Sequence, residues 1–352
     1  MLAVLFERFG QAPTVVEVPD PVPTPTGVVV RVEATGLCRS DWHGWLGHDP
    51  DVHLPHVPGH EMAGVVAQVG AQVRSWRPGQ RVTVPFVCAC GTCPTCLAGD
   101  QQVCERQFQP GFTHWGSMAQ YVALDRADVN LVELPDTLDY ASAAALGCRF
   151  ATAYRAVLAR GRTRPGQWVA VHGCGGVGLS AVMVAVAAGA HVVAVDVSTA
   201  ALALAHDMGA RACIQASAAV DVPAAVREAT GGGAHVSIDA FGSPATCEDS
   251  VNSLRRRGRH IQVGLLPPQL GVPQLAMDQV IGRELDILGS HGMSARDYPQ
   301  MLAAVAGGQL RPQELLTRRI ALAQAPAALA AIGTTPQPGV TVVQPWMTED
   351  TG

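Results

Sequence analysis

The sequence predicts a two-domain α/β protein in which a barrel-like β domain is followed by a doubly wound parallel sheet. Short Val-rich β-like runs broken by Pro and Gly dominate the first part of the chain. From Gln167 onward strands and helices alternate. The third observation is a Gly-rich turn, Gly173-Cys174-Gly175-Gly176-Val177-Gly178, set between a short buried strand and an apolar helix. With 352 residues, 48% of them hydrophobic and 15% charged, the chain is long enough for two domains and buries a sizeable interior.

The formal net charge of −5 and the lack of a dominant basic patch exclude nucleic acid and an anionic membrane surface as expected partners. The one dense basic run, Arg255-Arg256-Arg257, reads as a solvated helix end rather than a phosphate site. No signal peptide is evident in Met1–Arg8, and the most apolar stretch, Val177–Ala190, is shorter than the roughly 18 residues of a spanning helix. A cytoplasmic protein is expected, whose ten cysteines bind metal or stay reduced.

Strands are expected over Leu2–Phe6, Thr14–Val18 and Gly27–Ala34. At Ser40-Asp41 the pattern turns helical, and residues three apart on a helix share a face, which sets the Ser40 hydroxyl beside the His43 ring. That pair reads either as a proton path or as a capping Ser with a surface His. Cys38 and His60 are borderline-soft ligands suited to zinc, Asp41 is a candidate to orient a metal-bound imidazole, and Glu61 is either an outer carboxylate or a direct ligand. Met62–Gly70 and Pro78–Val84 read as further strands, as do Ser117–Leu124 and Val129–Leu134.

Cys90, Cys93, Cys96 and Cys104 have the Cx2Cx2Cx7C spacing that wraps a loop about one structural zinc, with Cys88 outside the set as a buried thiol. Asp139–Leu146 is helical and leads to Cys148, a third candidate for the Cys38–His60 metal, although a lone Cys there is more often packing. In the Gly-rich turn, Gly173 permits the bend, Gly175 lets backbone N–H groups, with those of Gly176 and Val177, approach a pyrophosphate, and Gly178 allows close helix–strand packing. Asp196 ends the next strand, where a carboxylate binds ribose hydroxyls and repels a 2′-phosphate, so NAD is favoured over NADP. Six parallel strands are countable, with helices at Val222–Thr230 and Pro244–Arg257 between them. Phe241, Gly264 and Leu265 lie at the strand ends where such folds bind ligands. Helices at Tyr298–Ala306 and Pro312–Leu316 and a strand at Gly339–Val343 follow, and this tail is expected to rejoin the first domain. The expected domains are therefore 1–149 with 290–352, and 150–289.

The ordered set Cys38, Gly59-His60-Glu61-x2-Gly64-x5-Gly70-x2-Val73, the four-Cys lobe, Cys148, GxGxxG and Asp196 resembles the zinc-dependent alcohol dehydrogenases of the medium-chain dehydrogenase/reductase family. The resemblance covers nearly the whole chain. It implies a GroES-like β-barrel catalytic domain plus a Rossmann domain, with two Zn2+ per chain: a catalytic one on Cys38, His60 and Cys148, with Glu61 nearby, and a structural one on the four-Cys lobe. It further implies Ser40 and His43 as a proton relay, Arg39 as a pyrophosphate contact, Thr152 as a nicotinamide neighbour, and a homotetramer, with a dimer as the other possibility. Phe86, Trp42 and Trp115 are candidates for lining the substrate pocket, and aromatic walls favour apolar or aromatic alcohols and aldehydes. Family members often carry an Arg after the Gly of the last strand, whereas Val340 follows Gly339 here. The expected catalytic site lies in a cleft between the domains. A polyol dehydrogenase of the same fold and a non-catalytic nucleotide-binding relative are the alternatives, and metal content and substrate range separate them.

Overall fold

The computed structural model describes residues 1–267, 269, 271–334 and 338–348. By internal packing the chain divides into two units, Met1–Ala151 with Gly292–Gly308 and Pro312–Gly352, and Thr152–His291 with Gln309–Arg311.

The first unit opens with a hairpin, β1 (Leu2–Leu5) and β2 (Thr14–Glu17), and continues with β3 (Val28–Leu37), β4 (Glu61–Val69), β5 (Arg81–Thr83), β6 (Tyr121–Leu124) and β7 (Val132–Glu133). β3 pairs antiparallel with β4 and β6, and β4 with β5. Val28, Val30 and Val32 alternate inward from β3 and pack on Met62, Val66, Val82, Val122 and Leu124, a β-branched core of the kind a pleated sheet favours. Of the strand expected at Val129–Leu134 only β7 forms, and Val129 and Asn130 belong instead to a short helix, Ala127–Asn130. Tertiary bonding decides this: the Asn130 amide accepts from the Ala89 N–H at 2.6 Å and donates to the Ala89 carbonyl at 3.0 Å, tying the turn to the cysteine lobe.

The second unit contains β8 (Trp168–His172), β9 (His191–Asp196), β10 (Ala212–Gln215), β11 (Ala234–Asp239), β12 (Leu254–Gln262) and β13 (Asp286–Gly289). Its sheet is six-stranded and parallel, in the order β10-β9-β8-β11-β12-β13. The helix Gly176–Ala187, apolar along nearly its whole length, is buried from Gly178 to Ala185, as an all-round apolar helix must be. The expected helix Pro244–Arg257 ends at Asn252, and Arg255, Arg256 and Arg257 belong to β12 instead. Leu254 and Arg259 pair with β11 on either side, and Arg255, Arg256 and Arg257 form the bulge between those pairs, so tertiary pairing at both ends overrides the helix propensity of Arg.

Two last strands, β14 (Leu316–Ala321) and β15 (Val340–Gln344), return to the first unit's sheet, β15 beside β3 and β14 outside it. β14 replaces the end of the expected helix at Pro312–Leu316, of which only a short 3₁₀ turn, Pro312–Leu315, remains. The helix Ala325–Ala331 between them has no counterpart in the sequence reading. Among the described residues no helix is long and apolar enough to cross a membrane.

Candidate metal centres and active site

The helix Arg39–Trp45 begins one residue after Cys38, which keeps an extended backbone in the capping position. The Cys38 N–H donates to Asp41 Oδ2 at 2.9 Å, so the first turn folds the carboxylate inward. Asp41 Oδ1 accepts from the Gly59 N–H at 3.0 Å and faces His60 Nδ1 at 2.9 Å. With Nδ1–H committed to Asp41, His60 Nε2 presents its lone pair, and that buried atom has no hydrogen-bond partner among the described residues. Cys38, His60, Glu61 and Cys148 each bring a ligand atom, all within 4.8 Å of one another.

Cys148 lies in a wide π-turn, Leu146–Phe150. The Gly147 carbonyl anchors that turn, accepting from the Phe86 N–H at 3.2 Å and from the hydroxyl of the fully buried Tyr298 at 3.1 Å. The two thiols share a proton: a hydrogen bond from Cys148 holds Cys38 well below the ordinary thiol value against the cost of burial, and the same bond raises Cys148. Burial disfavours charge on His60, but the Asp41 carboxylate outweighs it and holds the ring well above its usual value, so a cation that binds at the Nε2 lone pair displaces a proton from it. One thiolate, a second thiol and an imidazole nitrogen converging in a mostly buried site form the donor set of a zinc that keeps a position open. The residues fit that metal.

Glu61 is fully buried, and Arg149 claims both of its carboxylate oxygens. The Arg149 backbone N–H and Nε donate to Oε1 at 3.0 and 2.9 Å, and Nη2 donates to Oε2. Burial raises the Glu61 carboxyl, and the adjacent guanidinium opposes the rise. Gly36 is obligatory here, since a Cβ at that position falls 2.1 Å from Glu61 Oε2. The sequence reading passed over both Arg149 and Gly36 in this role. Val340, where the family often has Arg, is buried at the start of β15.

Ser40 and His43 share the helix, but no hydrogen bond joins them among the described residues. The His43 ring turns to His48, Nδ1 to Nδ1 at 3.0 Å. Burial, then the Arg39 charge, lowers the His43 pKa from 6.5. The Arg39 guanidinium lies 5.8 Å from the Trp42 ring centroid. Trp42 itself is half-buried, packed against the cluster around Leu329 and touching Gly333. Trp115 is exposed, with its indole N–H donating to the Pro55 carbonyl at 2.9 Å. Phe86 does lie against His60, ring centroids 6.2 Å apart, and Phe112, which sequence reasoning missed, is closer at 5.1 Å.

In the lobe, all four sulfurs lie within 4.8 Å of one another, with Cys90–Cys96 at 3.9 Å and Cys93–Cys104 at 3.8 Å. A tetrahedron with Zn–S bonds of about 2.3 Å has edges of about 3.8 Å, so four thiolates close around one ion. Backbone N–H groups of Thr92 and Cys93 point at Cys90 Sγ and help bring its pKa to about 5. Cys88 stays outside as a buried thiol whose pKa burial pushes up.

In the second unit Gly173 has φ +89°, and a Cβ at Gly178 falls 1.7 Å from the Gly173 carbonyl, so the turn and the helix after it require glycine at both. A Cβ at Gly175 meets nothing within 4 Å, which leaves the helix N-terminus open to a phosphate beside Gly176 and Val177. Asp196 braces this turn from the end of β9, accepting from the Cys174 N–H at 2.6 Å and the Ser198 N–H at 2.8 Å. Gly264 and Gly242 touch backbone to backbone, while Phe241 and Leu265 stay exposed on the same two loops. Those loops hang on residues absent from the sequence reading. Asp239 Oδ1 accepts from the Phe241 and Gly242 N–H groups, both at 3.0 Å, and Gln262 Nε2 donates to Asp239 Oδ2 at 2.8 Å. Thr152 is buried with its hydroxyl unpartnered among the described residues.

Residues 24–136 match the alcohol dehydrogenase GroES-like domain, and residues 176–307 match the zinc-binding dehydrogenase domain. An alcohol dehydrogenase of Geobacillus stearothermophilus is 36% identical over 313 residues, 88% of this chain and 90% of that one. The chain belongs to the zinc-dependent alcohol dehydrogenases of the medium-chain dehydrogenase/reductase family. An alcohol dehydrogenase of Rhizobium meliloti (strain 1021) is 36% identical over 314 residues, 88% of this chain and 89% of that one. The solved structure of an NAD-dependent alcohol dehydrogenase superposes with a TM-score of 0.86 at 30% identity, covering 98% of this chain and 99% of its own. The fold is thus the expected pairing of a GroES-like barrel with a Rossmann sheet. This zinc-dependent dehydrogenase is an oxidoreductase that interconverts alcohols with aldehydes or ketones, with zinc and NAD as cofactors.

Proposed function

We propose that the preferred substrates are apolar or aromatic primary and secondary alcohols, oxidised reversibly. The observation that carries the reading is His60 Nε2, a buried lone pair without a partner facing two thiols that share a proton. Cys38, His60 and Cys148 hold the catalytic zinc, which when bound polarises the alcohol oxygen and lowers the pKa of its hydroxyl. Asp41 fixes the His60 tautomer through the 2.9 Å contact at Nδ1. Arg149 keeps Glu61 in its own ion pair, so Glu61 serves as an outer carboxylate and not as a standing ligand. Phe86 and Phe112 shield the His60 ring from water and favour an apolar carbon skeleton over a polyol. Ser40 takes the alcohol proton and passes it to His43, one water closing the gap between them. Burial and Arg39 keep the His43 ring neutral near pH 7 and ready to accept that proton.

In the second unit the amides beside Gly175 bind the pyrophosphate, and Asp196 takes the adenosine ribose and selects NAD over NADP. Thr152, with its unpartnered hydroxyl, and the loops carrying Phe241 and Leu265 position the nicotinamide. The enzyme works in the cytoplasm as a homotetramer, and the free edge of β13, with Ile287 part-exposed, offers a backbone ladder to a second copy. An initial-rate panel of primary, secondary, aromatic and polyhydroxy alcohols with NAD and NADP tests the reading. The highest kcat/KM is expected for apolar alcohols with NAD, and a preference for polyols overturns the substrate assignment.

A further inference from the structure

The second unit carries a strongly basic cavity of about 470 Å³ that the oxidoreductase reaction does not use. Arg162, Arg164, Arg255, Arg256, Arg257 and Arg259 line it together with His235, and none of the lining residues is acidic. Only Arg257 and Arg259 reach carboxylates, those of Glu284 at 3.2 Å and Asp286 at 3.0 Å, so four of the six guanidinium groups have no acid opposite them among the described residues. In a chain of net charge −5, so local an excess of positive charge repels itself and is stabilised by an anion.

The backbone is shaped around the same cavity. Between the pairs Ala234↔Leu254 and Val236↔Arg259, β11 advances two residues and β12 five, so a bulge turns Arg255, Arg256 and Arg257 outward in succession. Arg257 has φ +60° and Arg162 φ +48°, two of the four non-glycine residues with positive φ among the described residues. Backbone strain of this kind clusters at functional sites. His235 fixes one wall of the cavity: the Trp168 N–H donates to its Nδ1 at 3.1 Å, and Arg255 Nη1 lies 2.8 Å from its Nε2. Burial and Arg255 both lower the His235 pKa, in keeping with the neutral ring.

We propose that this cavity is a binding site for a small oligophosphate, a molecule carrying two or more linked phosphoryl groups. One phosphoryl group accepts from the guanidinium of Arg255, which His235 holds at the wall. Arg162, Arg164 and Arg256 hold the next, guanidinium forks matching phosphate oxygens in pairs. The cavity lies at the N-terminal ends of β8, β11 and β12, whereas the Gly-rich turn follows the C-terminal end of β8, so it is separate from the dinucleotide's own phosphate site.

The test is calorimetric titration of inorganic pyrophosphate into zinc-loaded enzyme saturated with NAD, which occupies the Gly-rich turn. Saturable binding of one pyrophosphate per chain is expected, weakening steeply with salt and stronger than binding of orthophosphate. Arg255→Gln and Arg256→Gln are each expected to weaken it by about tenfold, the loss of one charge-assisted contact, with kcat unchanged. Where a melting curve shows either variant misfolded, Arg164→Gln, on the exposed wall, carries the same expectation. Absence of saturable heat, or equal affinity in the folded variants, overturns the proposal.

Discussion

The two cysteine clusters of the first unit are built in opposite ways. The lobe draws all four sulfurs from Cys90–Cys104, and the backbone N–H groups of the loop itself, from Thr92, Cys93 and Cys96, point at them. The other cluster gathers Cys38, His60 and Cys148 from distant parts of the chain and orients them through side chains, with Asp41 behind His60 and Arg149 around Glu61. A closed set of four thiolates leaves a zinc nothing further to bind, so it stabilises the loop. Three mixed ligands leave a coordination position, and the buried Nε2 of His60 is the mark of that incompleteness.

The sharpest way to separate the clusters is His60→Ala. Activity is expected to disappear while the fold persists, and zinc analysis should fall from two ions per chain to one, matching the two clusters. An active variant that has lost the ion breaks the assignment. Cys104→Ser attacks the other cluster and should act through stability, since a structural zinc contributes on the order of 10 kcal/mol of apparent binding energy to its domain. Melting is expected to fall steeply and zinc to leave the lobe, and a melt like that of the wild type removes its structural role.

A smaller effect is expected from His43→Gln, about a hundredfold in kcat for alcohol oxidation, the scale of general base catalysis. Because burial and Arg39 depress the His43 pKa, the ring accepts a proton throughout the neutral range. Wild-type activity should fall only as pH drops through a value below 6.5, and the variant should lose that limb. An unchanged pH profile means that the proton leaves by another route. Asp41→Asn keeps the shape but weakens the acceptor at His60, and a roughly ten- to hundredfold loss of affinity at the catalytic zinc is expected, read by competition with a chelator. Equal loss from the lobe shows that Asp41 acts on the whole domain instead.

The lobe and the Gly-rich turn were legible because their donors are close in sequence, so spacing alone constrains geometry. The pairing expected for Ser40 and His43 also rested on spacing, but helical periodicity sets only a shared face, and His48 competes for the ring from beyond the helix. Trp42 shows the same limit, since side chains around Leu329, far along the chain, pack against part of its ring. The Arg255–Arg257 run reads as a helix end because charge and helix propensity are local properties, while the pairing of Leu254 and Arg259 with β11, which leaves the run as a bulge, is not.

By itself, then, the sequence determined the class of the fold, the four-Cys set and the dinucleotide turn, each written in contiguous residues whose covalent spacing limits where their atoms can go. Only the tertiary structure decided that Arg149 takes both oxygens of Glu61, that Tyr298 braces the turn holding Cys148, and that Asp239 and Gln262 pin the loops of Phe241 and Gly264. Those contacts join residues up to 151 positions apart, a separation across which no local propensity acts and burial of polar groups demands a partner.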